Sequence, residues 1–268
     1  MGKKQEKAEK ERIKRLEAFD NYYSAIYKDR YIKLKEALLK DNEAVSFSQN
    51  LISEYFLDRA SILVAQLLPL KEGDNVLDMC AAPGGKTLVM LSKMNGNIYL
   101  TANDRSRDRK QRLDEVIRSH IPEQWQERIK TTCYDASTWG LHEKEVYDAI
   151  LLDAPCSSER HVIKSEKHLA MWSPSRPKRL AIEQYALLAS AFDAVKKGGY
   201  ILYSTCSINP EEDEKVIEKL IKRKESLFDI INFDLEFSEE RAYGRIILPD
   251  SANNLGPLYA CLIRKKDE

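Results

Sequence analysis

Two cysteines in this chain stand where a thiol could act on a bound ligand. Cys156 closes the run Asp153-Ala154-Pro155-Cys156, and Cys206 lies inside Ser204-Thr205-Cys206-Ser207. Each run follows a short apolar segment with the pattern of a buried strand. Neighbouring parallel strands would open both sulfurs into one crevice. A lone free cysteine is ordinarily buried and inert, and Cys133 and Cys261 read that way. Two thiols in one crevice suit methylation at carbon 5 of a pyrimidine. Carbon 5 of cytosine is too weak a nucleophile to attack a sulfonium methyl unaided. A thiolate adding to carbon 6, with a carboxylic acid supporting ring nitrogen 3, makes an enamine that can attack. The carbon 5 proton must then leave and the thiol be expelled, a release that a second cysteine can assist.

A ligand loop precedes these cysteines. Leu77-Asp78-Met79-Cys80-Ala81-Ala82-Pro83-Gly84-Gly85-Lys86-Thr87 sits where a first strand hands over to a helix. Its small residues let the backbone approach a ligand, and the helix start offers unpaired N–H groups. It is not a phosphate-binding P-loop, because position 80 is Cys where that motif needs Gly, and no G-x-G-x-x-G occurs. Acidic residues then recur at strand ends. Asp104 is placed for ribose hydroxyls, Asp135 for an adenine amino group, and Asp153 ends the fourth strand. One such Asp is ordinarily a turn or helix cap; four in register, counting the acid of the first strand, point to an adenosine-bearing ligand without phosphates.

The elements that must hold these groups follow from hydrophobic periodicity. Strands are expected over 75–79, 98–102, 129–132, 147–152, 199–204, 227–232 and 258–263, and helices over 53–68, 85–94, 107–120, 178–196 and 211–223. Near-continuous apolar strands alternating with helices predict an α/β fold with a seven-stranded, mostly parallel sheet and helices on both faces. Gly198-Gly199 reads as a helix stop. The acidic run 211–214 reads as a helix start and is given no catalytic role. Residues 1–40 carry twelve Lys/Arg against seven Asp/Glu, with Leu16, Phe19, Tyr22, Tyr23, Ile26 and Tyr27 at helical spacing. That predicts a basic helical extension over 1–45 ahead of a domain over 46–268, its aromatic stripe either docked on the domain or facing nucleic acid.

Composition narrows the class. The 268 residues hold 43% hydrophobic and 32% charged side chains, enough for a sizeable core. Forty-three basic residues balance forty-three acidic ones, so any polyanion site is a local patch. One patch is Arg105, Arg107, Arg109, Lys110 and Arg112; another is the insert from Arg160 to Arg179, where Trp172 reads as a base-stacking residue in an RNA-contacting lid. Five dispersed cysteines and four unclustered histidines predict neither a disulfide framework nor a metal site. No apolar run spans a membrane and the N-terminus lacks a secretory pattern, so the default is a reduced, cytoplasmic protein.

The motifs together resemble the Nop/Sun family of RNA cytosine-5 methyltransferases from about Phe47 onward. The matching stretches are 77–87, Asp104 with Arg109, Asp135, the Asp153–Cys156 run and the Ser204–Ser207 run. The resemblance implies a class I, Rossmann-like fold that uses S-adenosylmethionine. It implies Cys206 as the nucleophile, Cys156 as the aid to product release and Asp153 as the hydrogen-bond partner of a flipped base. Cys80, Ala81, Ala82, Pro83, Gly84, Gly85, Lys86, Asp104, Arg109, Asp135 and Asp153 would surround the cofactor. Asn103-Asp104-Arg105-Ser106, the run 156–161 and Gly256-Pro257-Leu258-Tyr259 resemble the short mitochondrial-type branch that acts on rRNA or tRNA; many bacterial members instead carry Pro-Cys-Ser-Gly.

The expected partner is therefore RNA, captured through residues 1–45, a helper protein or a ribosomal particle, by a chain expected to be monomeric. Two other readings stand beside this one: a ribosome assembly factor on a methyltransferase fold, and a DNA cytosine methyltransferase that attacks through Cys156.

Overall fold

The computed structural model describes residues 3–267. A 25-residue helix, α1 (Lys3–Tyr27), passes through a 3-10 turn into α2 (Tyr31–Leu39). A hairpin of β1 (Val45–Phe47) and β2 (Tyr55–Leu57) leads to α3 (Arg59–Ala65). Strands and helices then alternate as β3 (Asn75–Asp78), α4 (Gly85–Lys93), β4 (Tyr99–Asn103), α5 (Arg107–His120), α6 (Glu123–Gln126), β5 (Ile129–Thr132), α7 (Trp139–His142) and β6 (Tyr147–Asp153). Helices α8 (Glu159–Lys164), α9 (Glu166–Met171) and α10 (Arg176–Ala194) precede β7 (Val195–Thr205). The chain closes with α11 (Glu214–Lys224), β8 (Phe228–Ile231), β9 (Ser238–Glu240), β10 (Arg245–Ile247) and β11 (Leu258–Lys265).

The main sheet runs β5-β4-β3-β6-β7-β11-β10-β9, with β8 also paired to β11. β3 to β7 are parallel, whereas β11 runs antiparallel to β7, β8 and β10. All seven expected strands are present; two short strands, β9 and β10, raise the described sheet to nine. They escaped the sequence reading because three residues are too few to show alternation.

Side chains alternate across the sheet and build a core on each face. Ile150, Leu152, Ile201 and Tyr203 point to one face, where α1, α2, α10 and α11 cover them. Ala149, Leu151 and Leu202 point to the other, under α3, α4 and α5. Each fully buried Leu or Ile contributes roughly 1.5–3 kcal/mol. The β3–β6 boundary is where the chain reverses its order across the sheet, so the strand ends there open into a crevice.

Three expected boundaries are corrected. The helix expected over 53–68 is split: Tyr55, Phe56 and Leu57 pair with β1, and Asp58 caps the shorter α3 by accepting the Ala60 amide at 2.8 Å. Aromatic and bulky residues favour the extended strand, and the Asp cap restarts the helix. α10 ends at Ala194, while Gly198 (φ +75°) and Gly199 lie in a bulge of β7 between the pairs Tyr147–Val195 and Ala149–Tyr200. α11 begins at Glu214, because Glu212 N–H donates to Asn209 O at 2.9 Å in a preceding turn.

The aromatic stripe of α1 is docked. Phe19 and Tyr23 are fully buried, and Phe19, Tyr22 and Tyr23 crowd the Trp172 ring at centroid distances of 5.0–6.2 Å. Among the described residues no helix is long and apolar enough to cross a membrane.

Candidate active site

The Gly-rich loop is shaped by buried polar contacts. Asn103 Nδ2 donates to the carbonyls of Met79 and Tyr134, both at 3.1 Å, and its Oδ1 accepts from Thr132 Oγ1 and Tyr134 N–H at 2.9 Å. One side chain thus ties the ends of three strands together. Gly84 opens α4 at φ +119°, a left-handed conformation in which a Cβ would also meet Val116 Cγ1 at 3.0 Å. Gly84 therefore shapes the loop from behind, while its neighbours face the ligand side.

Two adjoining clefts open at these strand ends. The first, about 270 Å³, is lined by Cys80, Asp104, Arg109 and Asp135, with Pro155 and Leu187 opposite. Asp104 is buried; its Oδ1 accepts the Ser106 amide at 3.0 Å, and its Oδ2 finds no hydrogen-bond donor among the described residues, although Arg109 Nη1 approaches to 3.0 Å. Arg109 also donates to Ala82 O, joining the carboxylate to the loop. Asp135 is exposed, and the Ser137 hydroxyl and amide bonded to its Oδ1 hold its carboxyl below the usual range. The second cleft, about 140 Å³, is lined by Ala81, Ala82, Pro83, Gly85, Lys86 and Asp153.

Asp78 also lines that second cleft and was not among the expected site residues. Its Oδ2 accepts from Thr87 Oγ1 at 2.7 Å, and its Oδ1 is buried without a partner among the described residues. Burial, reinforced by the charge of Asp153, pushes its carboxyl up to about 7. Like Asp104, it ends a strand with an acid, and that position was its only signal. The Asp78 oxygen is an unpaired buried acceptor, costly unless a ligand donates to it, and the Asp104 oxygen, paired with Arg109 only as an ion pair, keeps room for a further donor. Adenosine hydroxyls at Asp104 and an ammonium at Asp78 meet that demand, so the donor set fits S-adenosylmethionine.

The two sulfurs meet. Cys156 Sγ lies 2.9 Å from Cys206 Sγ, and Ser158 Oγ is 3.1 Å from Cys206 and 3.4 Å from Cys156. Cys206 is exposed in the crevice. The hydrogen bond from Cys156 lowers the Cys206 thiol below its ordinary value, with Ser158 and the Lys86 charge acting in the same direction. Cys156 is raised, first because its proton serves Cys206 and then by burial. Such a split makes Cys206 the sulfur of the pair that ionises more readily. Beside them Lys86 Nζ lies 2.7 Å from Asp153 Oδ2, and Ser204 Oγ donates to Asp153 Oδ1 at 2.8 Å. Every expected site residue except Gly84 thus lines a cleft or the cysteine crevice.

The lid expected over 160–179 is corrected. Arg160 is spent inside the fold, donating to Gly256 O at 2.5 Å, Asn254 O at 3.0 Å and Ala37 O at 3.1 Å. Lys164 holds Lys40 O at 2.6 Å. Trp172 is buried against α1 and cannot stack a base. A buried aromatic and a surface one have the same sequence signature, so only packing separates them. His161, Lys167, Lys178 and Arg179 remain exposed.

A parallel sheet with a ligand cleft at its switch point defines a class I methyltransferase fold, here with a pair of thiols beside the cleft. The chain belongs to the family described as 16S rRNA methyltransferase RsmB/F, whose model matches residues 65–263. It is similar to 5-cytosine rRNA methyltransferase NSUN4 of Bos taurus, at 35% identity over 232 residues, covering 80% of this chain and 60% of the relative. It is also similar to a mitochondrial tRNA (cytosine(34)-C(5))-methyltransferase of Danio rerio, at 30% identity, covering 79% and 60%. The chain thus spans about three fifths of the length of these relatives. A solved methyltransferase homologue from Pyrococcus horikoshii shares the fold, with a TM-score of 0.72, 20% identity and coverage of 91% of this chain and 93% of that one.

Proposed function

We propose that this chain transfers a methyl group to carbon 5 of a cytidine in RNA, ribosomal or transfer, with Cys206 as nucleophile. The observation that carries the reading is the 2.9 Å approach of Cys156 and Cys206 in a crevice adjoining the adenosine-sized cleft. The relatives named above, which act on rRNA and tRNA cytosines, support the substrate class.

Asp104 and Asp135 would hold the adenosine of S-adenosylmethionine, and Asp78 its ammonium. When bound, that cofactor supplies an electrophilic methyl group. The chain's residues do the rest. A flipped cytosine enters the crevice; the Cys206 thiolate bonds to carbon 6, and the displaced electrons run toward ring nitrogen 3 and carbon 5. Asp153, oriented by Lys86 and Ser204, accepts a hydrogen bond from the exocyclic amino group of the base, while ring nitrogen 3 takes up a proton from water as charge develops there. After carbon 5 has taken the methyl group, its proton passes to water, the electrons of that carbon–hydrogen bond restore the 5,6 double bond and expel Cys206 from carbon 6 as thiolate, with Cys156 assisting, and nitrogen 3 gives back its proton. A DNA methyltransferase attacking through Cys156 fits less well, because Cys206 is the sulfur more open to the crevice and the one whose ionisation the neighbours favour.

The test is incubation with labelled S-adenosylmethionine and total small-subunit rRNA or tRNA, with bisulfite sequencing of the product. A single protected cytosine is the expected result; label absent from RNA, or present on another atom, overturns it.

A further inference from the structure

Beneath the cysteine loops lies a buried polar cluster that the chemistry above leaves unused. Ser157 follows Cys156 and Ser207 follows Cys206; both, with Glu159 and Glu212, are at most 1% exposed. Ser157 Oγ touches both Glu159 Oε1 and Glu212 Oε1. Ser207 Oγ is 3.3 Å from Glu159 Oε1 and 3.2 Å from Glu212 Oε1. Ile208 N–H donates to Glu159 Oε2 at 3.1 Å; Ser157 N–H and Gln184 Nε2 donate to Glu212 Oε2, both at 2.9 Å. From α1, Tyr23 OH donates to Glu159 Oε1 at 2.5 Å.

The hydrogens can be counted. Ser157 has one hydroxyl hydrogen and can give it to only one carboxylate. Its other carboxylate contact needs a hydrogen from the acid. Glu159 has no oxygen to spare, since Tyr23 and Ile208 donate to its two ends. Glu212 receives its N–H donors on Oε2 alone, which leaves Oε1 able to carry a proton toward Ser157. Burial, with the charge of Glu159 second, pushes the Glu212 carboxyl up to about 7, in the same direction.

We propose that Glu159 and Glu212 are positioning residues that share one proton through Ser157 and set Cys156 in register with Cys206, with Tyr23 completing the clasp from α1. Its consequence for methylation rests on the proposed function; its consequence for thiol reactivity does not. Each glutamate grips both cysteine loops, so losing the clasp lets the sulfurs drift apart and withdraws the Cys156 hydrogen bond that favours the Cys206 thiolate.

The two glutamates must then respond differently to the same isosteric change. In Glu212→Gln the amide NH2 takes the place of the protonated Oε1, and the amide oxygen still accepts from Ser157 and Gln184. In Glu159→Gln an NH2 set toward Ile208 meets an N–H donor, and one set toward Tyr23 makes that hydroxyl accept and leaves its own hydrogen without a partner. The experiment measures iodoacetamide alkylation of Cys206 by peptide mass spectrometry near neutral pH, alongside kcat and KM for RNA. Glu212→Gln should alkylate within about twofold of wild type, whereas Glu159→Gln should slow by at least about tenfold, the cost of one unpaired buried donor. Tyr23→Phe, which deletes one hydroxyl, should slow alkylation by roughly threefold or more and lower kcat without changing KM for the cofactor. Equal behaviour of the two Gln variants, or the opposite order, overturns the proposal. If Glu159→Gln does not fold, Tyr23→Phe decides: a wild-type alkylation rate there overturns it. A wild type that shows this pattern but methylates no RNA would sink the proposed function and leave the clasp standing.

Discussion

Lys86 Nζ stands 2.7 Å from Asp153 Oδ2, and this ion pair joins the Gly-rich loop to the end of β6 beside Cys206. The lysine side chain is only 14% exposed, so solvent screens the pair weakly. Asp153 drives the Lys86 ammonium above its ordinary value despite burial, and the retained charge in turn lowers the Cys206 thiol. One lysine therefore both orients the acid and favours the nucleophile's charged form.

Removing that charge should be visible in a titration. Because Lys86 lowers the thiol, Lys86→Met should move the pH inflection of Cys206 alkylation upward by about half a unit or more. A profile that stays in place or moves downward would show that the lysine does not act on this sulfur.

The cysteines should fail in different ways. Cys206→Ala should yield neither methylated RNA nor a protein–RNA adduct. Cys156→Ala should accumulate a covalent adduct, seen as a slow band on a denaturing gel with labelled RNA. If Cys156→Ala is instead the inactive variant without an adduct, the two roles are reversed.

Asp104 offers a buried oxygen that is ion-paired with Arg109 but makes no hydrogen bond among the described residues. Asp104→Ala should weaken S-adenosylmethionine binding by about 10–100-fold, the usual cost of a charged hydrogen bond, as read by isothermal titration calorimetry. Unchanged affinity would remove Asp104 from the cofactor site.

Packing of α1 should be worth a large share of stability. Trp172→Ala empties the space between Phe19, Tyr22 and Tyr23 and should cost about 3–5 kcal/mol in urea unfolding. A loss below about 1 kcal/mol would show that the helix is peripheral.

A second tie of this region is electrostatic. Arg30 bonds Glu239 and Asp250, and its hydrogen bond holds the Glu239 carboxyl down from 4.5 to about 2. A lowered folded-state value means stability present above about pH 4.5 and lost as pH falls toward 2. The gap in Tm between wild type and Arg30→Met should therefore narrow across that window. A constant gap would assign the effect to packing of the arginine stem.

Much of the site was readable before folding. Strand-end acids at Asp104, Asp135 and Asp153, the small residues before Gly84 and the two Cys runs carry short-range rules of turn chemistry and ligand approach. What escaped shares one cause. Asp78 lies one residue inside the loop that drew attention, and Glu212 lies in an acidic run that looks like a solvated helix start. Tyr23 and Trp172 look alike in sequence whether they pack inward or meet a base. Burial is the property at issue in each case, and it depends on partners outside the local pattern, as remote in the chain as Tyr23 is from Glu159.

The order of types along the chain dictated a parallel α/β sheet, because buried strands alternating with helices have few other ways to hide their apolar faces. It also dictated that two thiols sit at strand ends. Only the folded chain decided that those sulfurs touch, that the contact lowers the Cys206 thiol and raises that of Cys156, and that α1 turns its aromatic face inward. Those outcomes depend on dielectric and distance, which are set when remote segments exclude water together, and no local pattern of residues encodes either.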